Sequence, residues 1–248
     1  MQYRDFAEMY AVETNHWWFA GKRTLFKRLL RERLAQPNLR ILDIGCGTGA
    51  AAVDFSSYGW LCAVDRSRDA LAFARSRGLQ TVVASDAASL PFAEGSFDLV
   101  IAFDVIEHVD DDRGMMSELK RILRPGGALA LHVPAWPSLW SRHDEVLHHK
   151  RRYTRRGLRM LIAESGFAIE HLGWASAAIF PPAVLLRTFD RIMGERSPAP
   201  PTEDEAAALY VLPRPLNAAM NAVYKAEVAL AAGVGLPFGL SLAAIASR

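Results

Sequence analysis

The stretch ILDIGCGTGA, residues 41–50, decides the fold. A hydrophobic run that reads as a strand breaks into three glycines separated by single residues. Glycines at such a turn let a ligand approach bare backbone with no Cβ in the way. The spacing satisfies two patterns at once. Gly45, Gly47 and Ala50 give GxGxxG/A, while Gly45, Gly47 and Gly49 give GxGxG. The first suits the pyrophosphate of a dinucleotide, so spacing alone leaves the ligand open.

Asp43 separates the possibilities, because it stands two residues before Gly45 at the carboxyl end of the strand. A carboxylate close to a pyrophosphate is repelled by about 4 kcal/mol at about 4 Å for an effective dielectric near 20. The same carboxylate is attracted by a ligand that carries an ammonium and a sulfonium and no phosphate. S-adenosylmethionine is such a ligand. Asp65 ends the next apolar run, WLCAVD (60–65), and can accept both ribose hydroxyls. Nicotinamide sites use an acid in the same way, so Asp65 does not discriminate.

Outward from this turn, strands and helices alternate. LQTVVA (79–84) and FDLVIAFD (97–104) read as strands buried on both faces, followed by ALALHV (128–133) and FAIEHLGW (167–174). Ser67 caps a helix running to Gly78, Asp112 opens one that ends at RPGG, and Thr154 caps one closing at Gly166. This order needs crossover helices on both faces of a mostly parallel sheet. GLSLAAIASR (239–248) supplies the seventh strand. Before it, residues 180–237 hold apolar helical stretches split by the Pro-rich, acidic RSPAPPTEDE (196–205). In the second stretch Leu216, Met220, Val223, Glu227 and Leu230 recur at steps of three or four, which predicts the inward stripe of an amphipathic helix. The expected organisation is a helical lid over 1–38, a core over 39–179 and 238–248, and a helical insert over 180–237 that caps the substrate site. Residues 228–246 are uncharged and reach membrane-spanning length, but Gly233, Gly235, Pro237 and Gly239 interrupt them. They read as a helix end followed by a terminal strand.

With 248 residues, 23% charged and 51% hydrophobic, the chain has the composition of a folded soluble protein and not of a disordered one. A net charge of +2 is too small for a general nucleic-acid binder. Residues 21–40 carry seven Lys/Arg against Glu32 alone, and residues 141–159 carry seven against Asp144 and Glu145. These patches favour an anionic partner or are solvated helix faces. Cys46 and Cys62 form no disulfide or metal framework, and the N-terminus has no signal-peptide pattern. The expected location is the cytoplasm, with peripheral membrane contact as an alternative.

Four motifs in order, LDIGCGTG, AVDRS, ASDAASLPFAEGSFDLVIAFDVIEHVDD and ELKRILRPGGALALHVP, resemble those of class I S-adenosylmethionine-dependent methyltransferases. The likeness is strongest to the small-molecule branch that includes ubiquinone and menaquinone biosynthesis, and it covers residues 39–175. It implies an α/β, Rossmann-like sheet of seven strands, mostly parallel with the last strand antiparallel, helices on both faces and a helical insert before the last strand. It also implies that Asp43, Gly45, Cys46 and Gly47 line the methionine and ribose moieties and that Asp65 takes the ribose diol. Arg66 would lie beside the adenine, Asp86 would accept from its amino group, and Ala87 would donate its backbone N–H. Phe103 and Asp104 would flank the methionine end. Asp86 also has the plainer reading of a cap after a strand. HWWFAGKR (16–23) and the insert are similar to a bacterial subgroup of these enzymes. Trp17, Trp18 and Phe19 either fold as a lid, bringing Lys22 or Arg23 to the cofactor carboxylate, or anchor a helix on the core.

Methyl transfer from a sulfonium is an in-line displacement with an activated donor, so a base is needed only for a hydroxyl or ammonium acceptor. His143 is the first choice for base or acceptor-positioning residue and His108 the second. Glu107, Asp144, Glu145, His148 and His149 share the same two loops. DVIEH resembles the metal-binding ExxEH arrangement of some methyltransferases, but Asp104 replaces the first Glu, the other ligands are not evident, and no metal is assigned. There is no NPPY-like sequence after the fourth strand, no Pro-Cys nucleophile and no zinc spacing, which disfavours DNA acceptors. The reading is methyl transfer from S-adenosylmethionine to a small organic or lipid-like, anionic acceptor, leaving S-adenosylhomocysteine. The rivals are an RNA methyltransferase using the Arg-rich segment 150–159, a non-catalytic S-adenosylmethionine-binding partner protein, and a nicotinamide dehydrogenase.

Overall fold

The structure, a computed structural model, describes residues 3–193 and 213–248; the expected linker 196–205 lies outside the described residues. Seven strands form one sheet: β1 (Leu39–Ile44), β2 (Gly59–Asp65), β3 (Val82–Ala84), β4 (Phe97–Phe103), β5 (Leu123–Pro134), β6 (Ala168–Ala175) and β7 (Ser241–Ser247). Their order is β3-β2-β1-β4-β5-β7-β6. The first five run parallel, and β7 lies antiparallel to both β5 and β6. This is the Rossmann-like sheet that the motifs imply. Strand order reverses between β1 and β4, and in such sheets ligands bind at the carboxyl ends beside that switch.

Strand side chains alternate between two buried faces. Leu42 and Ile44 of β1 join a core completed by α6 (Asp112–Ile122) and α8 (Arg155–Glu164). Leu39 and Ile41 join a second core, built with α2 (Trp17–Leu29), α4 (Ala50–Ser56), α5 (Arg68–Ser76) and the last helix, α10 (Arg214–Ala232). The caps form as read: the Ser67 hydroxyl accepts from Ala70 N–H and that of Thr154 from Gly157 N–H. Helix α6 opens at Asp112 as read, and Asp111 before it is the cap, accepting from Gly114 N–H. Among the described residues the other α-helices are α1 (Tyr3–Val12) and α3 (Arg31–Leu34) before the sheet, α7 (Arg142–Val146) after β5, and α9 (Phe180–Met193) after β6.

Three local readings change. LQTVVA contributes only Val82–Ala84 to the sheet, and these residues are half-buried or exposed because β3 is an edge strand paired on one side. Strand β5 starts at Leu123, five residues before ALALHV, because Phe97 pairs with Leu123 before the register shifts to Leu99 opposite Ala128. The stripe read on α10 is rotated by one residue. Leu216, Val223 and Leu230 are 48%, 46% and 54% exposed, while Tyr224, Glu227, Val228 and Ala231 face inward. Polar anchoring sets this face: the Tyr224 hydroxyl lies 3.1 Å from Ser176 Oγ, and Glu227 accepts from Ala178 N–H at 2.9 Å. The uncharged run 228–246 divides into the end of α10, a turn and β7. Among the described residues, no helix is long and apolar enough to cross a membrane.

Candidate active site

The tip of β1 feeds directly into the glycine turn. Gly45 and Gly47 have φ of 63° and 53°, a region that disfavours side chains. A Cβ on Gly45 would stand 2.5 Å from Val105 Cγ2, and one on Gly47 would stand 2.8 Å from Met9 Cε. The turn is braced from the next strand: Asp65 accepts from Gly47 N–H at 3.0 Å and from Ser67 N–H at 2.8 Å. These two bonds fix the carboxylate at the mouth of the turn.

Asp43 lies behind it, 2% exposed, with Oδ2 unpartnered in the protein. Burial, with Glu13 nearby, pushes its carboxyl up to about 8, and Lys22 opposes the shift. A buried acid of this kind keeps its own proton or takes a cationic partner in its place, and so fits the ammonium or sulfonium of S-adenosylmethionine better than a phosphate.

These groups open into a cavity of about 950 Å³ at the carboxyl ends of the strands. The cofactor and base candidates read from the sequence line it: Arg23, Asp43, Gly45, Cys46, Gly47, Asp65, Arg66, Asp86, Ala87, Phe103, Asp104, His108 and His143, with Glu107, His148 and His149 beside them, whereas Asp144 and Glu145 do not. Their present engagements differ. Arg23 directs its guanidinium to the carbonyls of Glu13 and Thr14 and to the Asp54 carboxylate, so it ties the N-terminal segment to α4. Asp86 accepts from Ala88 N–H within a turn, and no helix follows for it to cap. Asp104, in a left-handed conformation with φ 56°, pairs with Lys22 and, at 2.6 Å, with His132 Nδ1. Against the effect of burial, those two partners hold its carboxyl below the usual range. Burial lowers His143 and His108 to about 4, so both imidazoles are neutral at pH 7.

The N-terminal segment supplies groups that the sequence did not reveal. Glu13 accepts from the Thr48 hydroxyl and from Ala50 N–H, and Arg77 reaches it at 3.0 Å. Arg77 also donates to the Thr48 and Tyr10 carbonyls, which straps α1 to the glycine turn. Trp17 and Trp18 both line the cavity, yet Trp17 also packs on Tyr224 with ring centroids 5.8 Å apart. One helix therefore anchors on the core and faces the ligand space. On the opposite wall, buried Asp144 accepts from His149 Nδ1 at 2.8 Å and Arg152 Nε at 2.7 Å. Ser141 and Asp144 also form a capping box at the start of α7, and its Ser-x-x-Asp spacing is a signal that could have found this arrangement. The Arg-rich run is spent largely on internal partners: Arg151 on Val109 and Asp110, Arg152 on Asp144 and Ala135, and Arg155 on Leu172.

Comparison with known proteins agrees with this geometry. A family model described as a methyltransferase domain matches residues 42–131. The chain is 33% identical over 132 residues to demethylmenaquinone methyltransferase of Corynebacterium efficiens, covering 51% of this chain and 57% of that protein. It is 30% identical over 158 residues to O-methyltransferase rstn1 of Aspergillus nomiae, covering 57% and 70%. A putative methyltransferase of Bacillus halodurans superposes with a TM-score of 0.61 at 21% identity, over 90% of this chain and 97% of that one, which speaks for the fold. The chain spans about half the length of several curated relatives that it matches. Motifs, sheet order and relatives converge: the chain belongs to the class I S-adenosylmethionine-dependent methyltransferases.

Proposed function

We propose that the protein transfers the methyl group of S-adenosylmethionine to a small organic acceptor of amphiphilic, lipid-like character. The observation that carries this reading is the unpartnered, buried Asp43 oxygen at the glycine turn. When bound, S-adenosylmethionine supplies an activated methyl group on a positively charged sulfur. Asp43 neutralises the cationic end of the ligand, and Gly45 and Gly47 admit it against bare backbone. Asp65 is held ready for the ribose hydroxyls, with Arg66, Asp86 and Ala87 on the adenine side. Phe103 and Asp104 border the reacting end.

The acceptor then occupies the part of the cavity lined by Trp18, His143, Leu147, Ile179 and Leu240, with Lys150 and Arg152 at its polar side. This mixture of apolar wall and cations suits an acceptor with a ring or chain and an acidic head. A quinone-type molecule, as the name of the Corynebacterium relative suggests for that protein, has such a ring and chain, though no acidic head. His143 is the first candidate to take the acceptor proton and His108 the second; both hold a free base form at neutral pH.

Host metabolite extract incubated with the protein and isotopically labelled methyl donor, then read by mass spectrometry, tests the proposal. A labelled, small amphiphilic product that disappears with Asp43→Ala is the expected result. Label found only in RNA, or tight binding of NAD in preference to S-adenosylmethionine, would overturn it.

A further inference from the structure

Below the acceptor space, the turn after β4 meets the loop after β5. Ligand atoms of Glu107, His108 and His149 lie there within 4.8 Å of one another. Glu107 is fully buried, and neither of its carboxylate oxygens has a hydrogen-bond partner. A buried carboxylate in that condition requires a cation, a donor or its own proton.

The two rings are already oriented from behind. His108 Nδ1 stands 3.3 Å from the His148 carbonyl, and His149 Nδ1 stands 2.8 Å from Asp144 Oδ1. Each ring therefore donates through Nδ1 and keeps the lone pair of Nε2. A carbonyl or carboxylate behind the ring is the arrangement that fixes metal-ligating histidines. Asp144 is itself held by Arg152 Nε at 2.7 Å and Ser141 N–H at 2.9 Å. The two loops are joined by Lys150 N–H donating to the Glu107 carbonyl at 2.7 Å. Asp104, three residues before Glu107, is not part of the set, because Lys22 and His132 occupy its oxygens. The ligands assembled by the fold thus differ from those that DVIEH suggests as a linear motif. The nearby cations Lys22 and Arg152 each have a carboxylate of their own.

The geometry points to Glu107, His108 and His149 as the protein ligands of one divalent transition-metal ion, with its open positions turned to the cavity for an acceptor oxygen. One carboxylate and two imidazoles suit Mn²⁺, Fe²⁺ or Zn²⁺ better than Mg²⁺, which prefers oxygen donors and water. The assignment of the open positions rests on the methyl-transfer reading and leaves His143 as the base; the ion site itself does not depend on that reading.

The whole chain, stripped with a chelator, is titrated by calorimetry with Mn²⁺ and Zn²⁺, and with S-adenosylmethionine in parallel. One saturable ion site is expected. Glu107→Gln and His149→Ala should each weaken it at least tenfold while cofactor affinity stays within about twofold. Asp144→Asn, acting through His149, should weaken it about tenfold. Glu107→Gln, nearly isosteric, keeps the test valid should His149→Ala not fold. No saturable binding, or binding that Glu107→Gln leaves unchanged, overturns the proposal and makes Glu107 a buried, protonated acid. Ion binding without cofactor binding would instead remove the methyl-transfer reading and leave the ion site standing.

Discussion

At the scale of single residues, Asp43 carries the most consequence. Its folded carboxyl titrates at about 8, above the ordinary value of 3.8. The ligand-free fold therefore holds a proton that the unfolded chain releases, and stability from this group declines as pH rises from about 4 through 8. A cationic ligand favours the carboxylate, so its binding should release a proton below pH 8 and tighten as pH climbs towards that value. Calorimetry in buffers of different ionisation heat measures the proton count. In Asp43→Asn this contribution should vanish, and affinity should fall by about 1.5–3 kcal/mol, tenfold or more, for loss of a charged hydrogen bond. Unchanged proton release in that variant would place the titrating group elsewhere. Asp43 was legible because its position in a strand-to-glycine turn fixes what it faces. Glu13 was not: its partners Thr48 and Ala50 are 35 and 37 residues away, and nothing in the local pattern around it announces them.

Among elements, the pairing of α2 with α10 tests how packing is specified. The Tyr224 ring occupies the space that a side chain on Gly21 would need. Gly21→Ala should therefore force the helices apart and cost about 1–3 kcal/mol, as overpacking does. Tyr224→Phe keeps the ring and loses only the contact with Ser176, so it should cost about 0.5–1.5 kcal/mol. Chemical denaturation separates the two; equal losses would mean that the hydroxyl, and not the fit against Gly21, sets the interface. The same helix shows where sequence reading stops. Strands and caps were recovered because period, Ser67 and Thr154 are local signals. The inward face of α10 was missed by one residue because Leu216, Val223 and Leu230 look like core on hydropathy alone. Glu227, shared by both stripes, is buried through a backbone bond from Ala178 that only the tertiary structure supplies.

For the molecule as a whole, cofactor binding should couple the N-terminal segment to the sheet. Glu13 and Arg77 strap α1 onto the glycine turn, so a ligand in the cavity adds contacts on both sides of that junction. S-adenosylmethionine at about a hundredfold its Kd should stabilise the chain by about 2.7 kcal/mol, a rise of roughly 5–10 °C in Tm. NAD at equal concentration should give no rise, and a scanning thermal-shift assay checks both. Arg77→Ala should reduce the rise with S-adenosylmethionine, and an undiminished rise would show that the strap is irrelevant to the ligand. Strand β7 has a consequence of another kind. Among the described residues β6 meets the sheet only through β7, because the order runs β5-β7-β6. During synthesis, residues 168–175 leave the ribosome with no neighbour to pair with, and they wait until residues 241–247 have been translated. A nascent chain arrested before that point would present an open, aggregation-prone border along β5, which makes this stretch the natural place for a chaperone to act.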